Sequence, residues 1–497
     1  MNGNKIYESL IESVINNYNA TSSIMFIKHY NSSFIPKDAV EKVVKESTHD
    51  NGRILYYNFC GDIMQSAYAP LMDWIKQVYY EEYSDMTPEE FVDRCNVYAL
   101  QKEVISSFIR TGICERNEEI LYSEVDYETK CFSESIRKMI QFIAKEKYIV
   151  IVLNDLQYAN PSVIYFLTHI IEKYGIENCS IIVSYNEAVM VDSALKDDWE
   201  HLVEKATKSN LIYENIMFDE GDSMEDIPAF VPLASSVSDY IVKIRNMIYM
   251  LGVKQAQSYL DMINQKIEQE RFDISDEDAW KIYKLTALLS MHNGDYNKTF
   301  LDCEKMRKKS KYTDELLDYA DEKTDKNTMK LLHQGYDYYY IDGIAHANLM
   351  QSSQVEAEAQ KCMAIANLLG NKKAQLKARI LKYICRYNGW NNIYDIDIKN
   401  QDDCEDILKE IYNARFYNLY AHLSCYSYNN DKNSLMKFVA NEDEGTMFNK
   451  GLNVGMQLGN EEFLIVAYMK NIVLCSEYGY YNYVERIYNK MSSLVDV

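Results

Sequence analysis

The stretch VIVLNDLQYANPS, residues 150–162, reads as a buried strand, two polar residues, and a turn that opens a helix. Its apolar run shows no polar alternation, so both faces of the strand are expected to be covered. Asn160 is placed to cap the helix and Pro161 to fill its first turn. An amphipathic helix, ESIRKMIQFIAKEK (134–147), feeds the strand, and YIVIVLND (148–155) is the most strand-like run in the chain. Past the helix NPSVIYFLTHIIEKYG (160–175) comes a second continuous apolar run, SIIVSYNE (180–187).

The same alternation extends toward the N-terminus. IYESLIESVINNY (6–18) places Ile6, Leu10, Val14 and Ile15 on one helical stripe, and SSIMFIKH (22–29) reads as a first strand. A helix starting at Pro36 would turn Ala39, Val40, Val43 and Val44 inward. RILYYNF (53–59) reads as a second strand, and a helix follows Pro70 in AYAPLMDWIKQVYY (67–80). MTPEEF (86–91) carries a capping signature, with Thr87, Pro88 at the first helical position and Glu90 three residues after Thr87. Strands alternating with helices predict a parallel α/β sheet covered on both faces.

The composition bounds the rest. A chain of 497 residues, 47% hydrophobic, can bury sizeable cores in two to four domains. Six Pro and 17 Gly suit a mostly helical protein, and 43 Tyr suit amphipathic packing surfaces. A net charge of −23 repels a phosphate backbone, so no nucleic-acid partner is expected. The opening MNGNKIYESLIESV is polar and helix-like rather than a signal peptide. No apolar run reaches the roughly 18–20 residues of a membrane span. Eleven cysteines without C-x-x-C pairs read as reduced, mostly buried thiols of a cytoplasmic protein.

The order of elements is the layout of a P-loop ATPase core. NDLQYANPSVIYFL resembles the Walker B region of STAND-type (AAA-related) signalling ATPases, an apolar strand followed by D-D-L-Q-W-A-D-P-S and a Leu-rich helix. SAYAPLMDWIKQV is similar to that family's segment after the second strand, and IIVSYNE to its sensor strand, which ends in T-Y-R-x-x-E. The resemblance covers about residues 1–190. It implies an ATP- and Mg²⁺-binding site, from which this sequence departs at three places. The loop HYNSSFIPKDA (29–39) has no glycine and no G-K-[ST], so backbone N–H groups cannot close on phosphates as that motif requires. Ser32, Ser33 and Lys37 are present at unproductive spacing, and Pro36 removes a donor. Asn154 stands where the resemblance implies a metal-coordinating acid, while Asp155 matches the second acid. Asn186 stands at the sensor arginine, with Glu187 retained. Phosphoryl transfer depends on positioning and charge neutralisation, so losing these groups together predicts an inactive ATPase fold. Lys37, Asn154, Asp155 and Asn186 are the candidate remnant of a nucleotide site; Asp155 reads first as a strand-end residue that caps a turn. ATP with Mg²⁺ is a possible ligand that this pattern does not favour, and no cofactor is expected.

Residues 191–235, with the acidic IYENIMFDEGDSMEDIPAFVP (212–232), read as a linker. From 236 to 497 the pattern is helical. A break is expected near Gly252. SDEDAWKIYKLTALLSMHNGDYNKTFLDCEKMRKK (275–309) reads as two helices joined at Asn293-Gly294-Asp295, with a capping box at Ser275 and Asp278. Its aromatic start, small residues and G-D-Y turn resemble a tetratricopeptide repeat. Two later stretches share L-G-N at 369–371 and 458–460, then a helix, then Gly389 or Gly479. In VEAEAQKCMAIANLL (355–369), Val355, Ala359, Cys362, Met363, Ala366 and Leu369 share a face. The predicted fold class is therefore an α/β P-loop-like parallel sheet domain (1–190) followed by an all-α tetratricopeptide-like solenoid (236–497), whose concave side is a groove for a protein or peptide.

Other chemistry is sparse. His422 and Cys425 lie at i, i+3 and read as core residues, so no metal is expected. Tyr336, Tyr338, Tyr339 and Tyr340 in YDYYYIDG are either a stacking or peptide-binding surface or inter-helix packing. The expectation is a bacterial signalling or regulatory protein that works by binding, with no membrane partner. The alternatives are a slow ATP-hydrolysing switch and a plain interaction scaffold. The resemblance implies that an output module follows such a layout, a DNA-binding domain or a diguanylate cyclase. Neither signature is present, so the chain would be the sensor half of a longer regulator.

Overall fold

The computed structural model describes residues 3–16, 23–30, 35–49, 51–59, 65–116, 125–189, 191, 195–214, 236–268, 274–319, 325–349, 351–388, 401–427, 447–459, 461–477 and 479–495. The chain divides into two compact units, Met1–Glu115 with Glu128–Tyr259, and Arg116–Tyr127 with Leu260–Val497.

The first unit is built on a five-stranded sheet, all of whose pairings are parallel. The strands are β1 (Ser23–His29), β2 (Gly52–Asn58), β3 (Tyr148–Asn154), β4 (Cys179–Asn186) and β5 (Ile212–Glu214), in the spatial order β2-β3-β4-β1-β5. Residues 149–154 are fully buried, as the lack of alternation predicts for a central parallel strand. Helices α1 (Gly3–Asn16) and α2 (Lys37–Thr48) cover one face. There Ile11, Val14, Ala39, Val40, Val43 and Val44 pack on Ile27, Val150, Val152 and Ile182. The predicted inward face of α2 is therefore the observed one. The chain then passes through α3 (Leu71–Glu82), α4 (Pro88–Arg94), α5 (Ala99–Thr111) and α6 (Val125–Ile143) to β3. At α4 the predicted capping box is complete, with Thr87 N–H donating to Glu90 and Glu90 N–H donating to Thr87 Oγ1. α7 (Pro161–Glu172) joins β3 to β4, and α8 (Lys196–Lys208) joins β4 to β5. The right-handed rule for such crossovers places these two opposite α2, because β1 connects toward β2 while β3 and β4 connect the other way.

Residues 191–235, expected as a linker, contain α8 and the fifth strand. β5 is only three residues long, and it forms because the outer edge of β1 is open to it: Phe26–Lys28 align with Ile212–Glu214. Residues 215–235, with most of the acidic segment, lie outside the described residues. The first unit also reaches past 236. α9 (Val237–Tyr249) docks on the turn after α5 through the buried Asn246, which accepts from Cys114 N–H (2.8 Å) and donates to Gly112 O (2.8 Å). α10 (Val253–Glu268) starts after Gly252, and Gln255 donates to Gln65 O at 2.8 Å.

The second unit is helical, and no strand occurs in it among the described residues. α11 (Asp276–His292) and α12 (Tyr296–Lys309) form the expected hairpin. Ser275 caps α11 by accepting from Asp278 N–H, and its hydroxyl donates to the Asp278 carboxylate. After the short α13 (Leu316–Tyr319) come α14 (Lys326–Asn348), α15 (Ser352–Leu368) and α16 (Lys372–Asn388). Residues from α11 through α16 share one core, including Trp280, Leu332, Tyr339, Cys362 and Leu381. Val355, Ala359, Cys362 and Ala366 are buried as expected, together with Ile365, while Met363 and Leu369 are partly buried against the same core. The unit continues with α17 (Gln401–Asn413), α18 (Tyr417–Ser427), α19 (Met447–Leu458), α20 (Glu461–Glu477) and α21 (Tyr481–Val495). Both L-G-N motifs end a helix: Gly370 (φ 60°) closes α15 and Gly459 (φ 69°) closes α19, the left-handed conformation that glycine adopts without a Cβ penalty. Gly389 lies outside the described residues. No helix among the described residues is long and apolar enough to cross a membrane. Cys95, Cys114, Cys131, Cys179, Cys303, Cys362, Cys425 and Cys475 are buried thiols.

Candidate functional site

In an open parallel sheet, ligands bind outside the carboxyl ends of the strands where the connections diverge. Here that point lies between β1 and β4, whose connections leave in opposite directions, and the quoted end of β3 lies beside it. In register, His29 faces Asn186 and Asn58 faces Asn154.

Asn154 is fully buried and holds this end of the sheet together. Its Oδ1 accepts from Ile35 N–H (3.2 Å) and from the Ser184 hydroxyl (2.8 Å). Its Nδ2 donates to Asn58 Oδ1 (2.8 Å) and to Ile35 O (3.4 Å). The backbone of Ile35 thus receives one bond and gives one, which fixes the orientation of the amide. Ile35 is itself fully buried, and its carbonyl also accepts from the Tyr56 hydroxyl at 2.7 Å. Burial pushes the Tyr56 phenol up to about 12, so it stays a donor. One side chain at the end of β3 is therefore tied to β2, to β4 and to the segment entering α2.

Asp155 sits in the left-handed conformation (φ 56°, ψ 46°), which short polar residues tolerate. Burial raises its pKa, partly offset by the bond its carboxylate accepts from Gln157 Nε2 at 3.0 Å. Gln157 in turn accepts from Asn186 N–H at 3.0 Å, and Asn186 Oδ1 accepts from Ala188 N–H at 2.9 Å. Asn160 caps α7 by accepting from Val163 N–H (3.0 Å), and its amide donates to Ser66 O at 3.0 Å. At the end of β1, burial lowers the His29 imidazole to about 4, so it is neutral at physiological pH. Beside it, Lys28 lies 3.5 Å from Glu187 and 3.6 Å from Glu214. Burial opposes its charge, but Glu187, Tyr30 and Glu214 outweigh that and hold the ammonium above its ordinary value.

The structure therefore brings Asn154, Asp155 and Asn186 to one end of the sheet, the last two joined through Gln157. Lys37 is not among them. It lies exposed on α2, 3.4 Å from Glu41 one turn along. Ser32 and Ser33 lie outside the described residues. Pro36 is the N-cap of α2 and makes no side-chain cap bond. The Ile35 N–H, a donor at the exit of this loop, is engaged by Asn154. No group of three or more His, Cys, Asp or Glu side chains able to hold a metal occurs among the described residues. Sequence reading missed Asn58, Ser184, Gln157, Ile35 and Tyr56. One signal was present: RILYYN and IVIVLN both end in asparagine, and in register the two amides meet.

In the helical unit the four tyrosines separate. The Tyr336 hydroxyl donates to Ala374 O (2.9 Å), and Tyr340 stacks on the Tyr336 ring at 5.7 Å. The Tyr339 hydroxyl donates to Asp314, and Tyr338 meets the Tyr339 ring edge-on at 4.9 Å. His422 is buried with its ring 4.6 Å from Phe463, and Cys425 is a buried thiol.

No family model matches this sequence, and no curated protein matches it.

Proposed function

We propose that this protein is a bacterial, cytoplasmic regulatory protein that acts by binding rather than by turnover. In this reading the α/β unit keeps the framework of a STAND-type ATPase without its chemistry. The helical unit is a tetratricopeptide-like solenoid that takes a protein, peptide or small effector. The observation that carries the first half is Asn154: its amide is consumed by four hydrogen bonds, one of them to the backbone N–H leading into α2. A magnesium site would need a carboxylate there, and phosphates would need free backbone donors in that loop. Lys37, the cation nearest in sequence, points to solvent. The second half is supported by the recurring helix–turn–helix units and their L-G-N turns, since stacked hairpins leave a continuous face for partners.

Calorimetric titration of the full chain with Mg-ATP and Mg-ADP tests the reading. No saturable heat and no phosphate release are expected. Micromolar binding that disappears in Asp155→Ala would overturn it in favour of an ATP-dependent switch.

A further inference from the structure

From α11 to α16 the connections between helices are short, with one exception. The chain turns in 293–295 after α11, in 349–351 after α14 and in 369–371 after α15, whereas α12 and α14 are joined by 310–325. A connection of that length inside a stack of hairpins is uncommon and usually carries function. Its first part lies across the two long helices that follow it.

Tyr312 anchors this segment. Its ring rests on the backbone of α14 at Gly335, where a Cβ would stand 2.7 Å from it, and meets the Tyr339 ring edge-on at 6.0 Å. Two residues on, the Asp314 carboxylate accepts from the Tyr339 hydroxyl and lies 3.3 Å from Lys361 of α15. Burial opposes the Asp314 charge, but Tyr339, Lys361 and Arg307 outweigh that and hold its carboxyl below the ordinary range. Lys361 also donates to the Tyr339 oxygen at 3.3 Å. Ser310 leaves α12 in an extended conformation (φ −78°, ψ 143°). Its hydroxyl donates to Gln334 Oε1 (2.9 Å) and accepts from Tyr312 N–H (3.0 Å). Lys311, Thr313, Asp314 and Glu315 are exposed, so Tyr312 is the one buried side chain in 310–315. A ring and an acid at i and i+2, turned to one side with the residues between them facing water, is how an extended peptide sits on a surface.

We propose that segment 310–315 is a tethered occupant of a peptide site, and that the site recognises an extended partner segment with an aromatic residue two positions before an acid. The notch at Gly335 takes the ring, and the Tyr339 hydroxyl with Lys361 and Arg307 takes the carboxylate. A partner engages by exchanging ring for ring and acid for acid, so the cations keep a counter-charge throughout. A tethered segment competes at an effective concentration on the order of mM, so the resting chain binds such a partner weakly. The site rests on the binding role proposed for the helical unit and names the partner chemistry for it.

A fluorescein-labelled peptide of residues 310–319, SKYTDELLDY, titrated into the full chain and followed by anisotropy, tests the proposal. The parent chain should bind it weakly. Asp314→Asn in the chain loosens only the charged contact and should tighten peptide binding about fivefold. Tyr312→Ala empties the notch and should tighten it further. The same peptide carrying Tyr312→Ala should bind none of these chains. Gly335→Ala, added to Asp314→Asn, puts a methyl group where the ring sits and should weaken binding about tenfold. Circular dichroism on heating checks that each chain is folded, and if Tyr312→Ala is not, the comparison of Asp314→Asn with the parent decides. Equal binding by those two chains, or none by either, overturns the proposal and leaves 310–315 a fixed connector. Binding that survives Gly335→Ala overturns it as well. Neither failure alters the Mg-ATP titration, which reads the other unit, and saturable binding of Mg-ATP there would not move the peptide affinities.

Discussion

Asn154 has two donors and a two-fold acceptor, and each has a partner. An aspartate would keep the bonds from Ile35 N–H and Ser184 but would turn a charged oxygen on Ile35 O and Asn58 Oδ1. Asn58 can rotate its amide to answer, whereas the Ile35 carbonyl cannot. Restoring the acid at this position is therefore expected to destabilise the protein without creating activity. Asn154→Asp should cost about 2–4 kcal/mol at pH 7.5, read as a lower thermal midpoint, because a buried charge meets an acceptor. At pH 5 the deficit should shrink, since a proton returns one donor; equal deficits at both pH values would rule the donor explanation out. Glu358 on α15 shows the same linkage in the native chain. Burial and then the charge of Asp342 push it up to about 7, and its Oε2 is buried without a hydrogen-bond partner among the described residues. Asp342 on α14 is itself raised by burial, against the pull of His346 at 3.3 Å. The folded-state pKa of Glu358 lies above the ordinary 4.5, so folding binds a proton. Its contribution is complete below about 4.5 and is lost as pH rises through about 7. Glu358→Gln should raise the melting temperature at pH 8 and leave it unchanged at pH 5; a gain independent of pH would contradict this.

At the scale of elements, α6 and α7 are clamped by a partly buried ion cluster. Arg137 donates to both carboxylate oxygens of Glu134 (2.8 and 2.7 Å), and the ring of His169 on α7 lies 2.9 Å from the same carboxylate. Burial alone would raise Glu134, but the bonds from His169 and Arg137 outweigh it and hold its carboxyl down at about 2. The stability this provides is present above about 4.5 and is lost as pH falls toward 2. Glu134→Gln should be less stable than the parent at pH 7 and approach it near pH 2, followed by circular dichroism on heating. A deficit that persists undiminished into acid would mean that packing, not charge, is what the substitution removed. Neither this clamp nor the Asn154 network was readable in advance, because the partners of Asn154 lie as far as 119 residues away. What could be read was coded within a few neighbouring residues. Asn160-Pro161 announced a helix start, Thr87-Pro88-Glu90 a capping box, Ala39-Val40 with Val43-Val44 an inward face, and Asn293-Gly294-Asp295 the turn between two helices. β5 escaped because three residues, two of them exposed, carry no period; the open edge of β1 makes them a strand. The candidate site was half legible. The quoted stretch contained Asn154, Asp155 and Gln157, but only the fold could show that the first is occupied and that the third joins Asp155 to Asn186.

For the whole molecule the governing quantity is the excess of acidic over basic residues, a net charge of −23. Like charges spread over the surface oppose compaction, and salt screens them over a distance that falls from about 10 Å at 0.1 M to about 3 Å at 1 M. Salt also weakens the many exposed ion pairs, such as Lys208–Glu204 and Lys308–Glu304, in which every side chain is more than half exposed. Exposed pairs of this kind contribute a few tenths of a kcal/mol each at most, so relief of the global repulsion should win. The melting temperature is expected to rise by a few degrees when NaCl goes from roughly 0.02 to 0.5 M. A melting temperature that falls with salt would show instead that the ion pairs outweigh the repulsion.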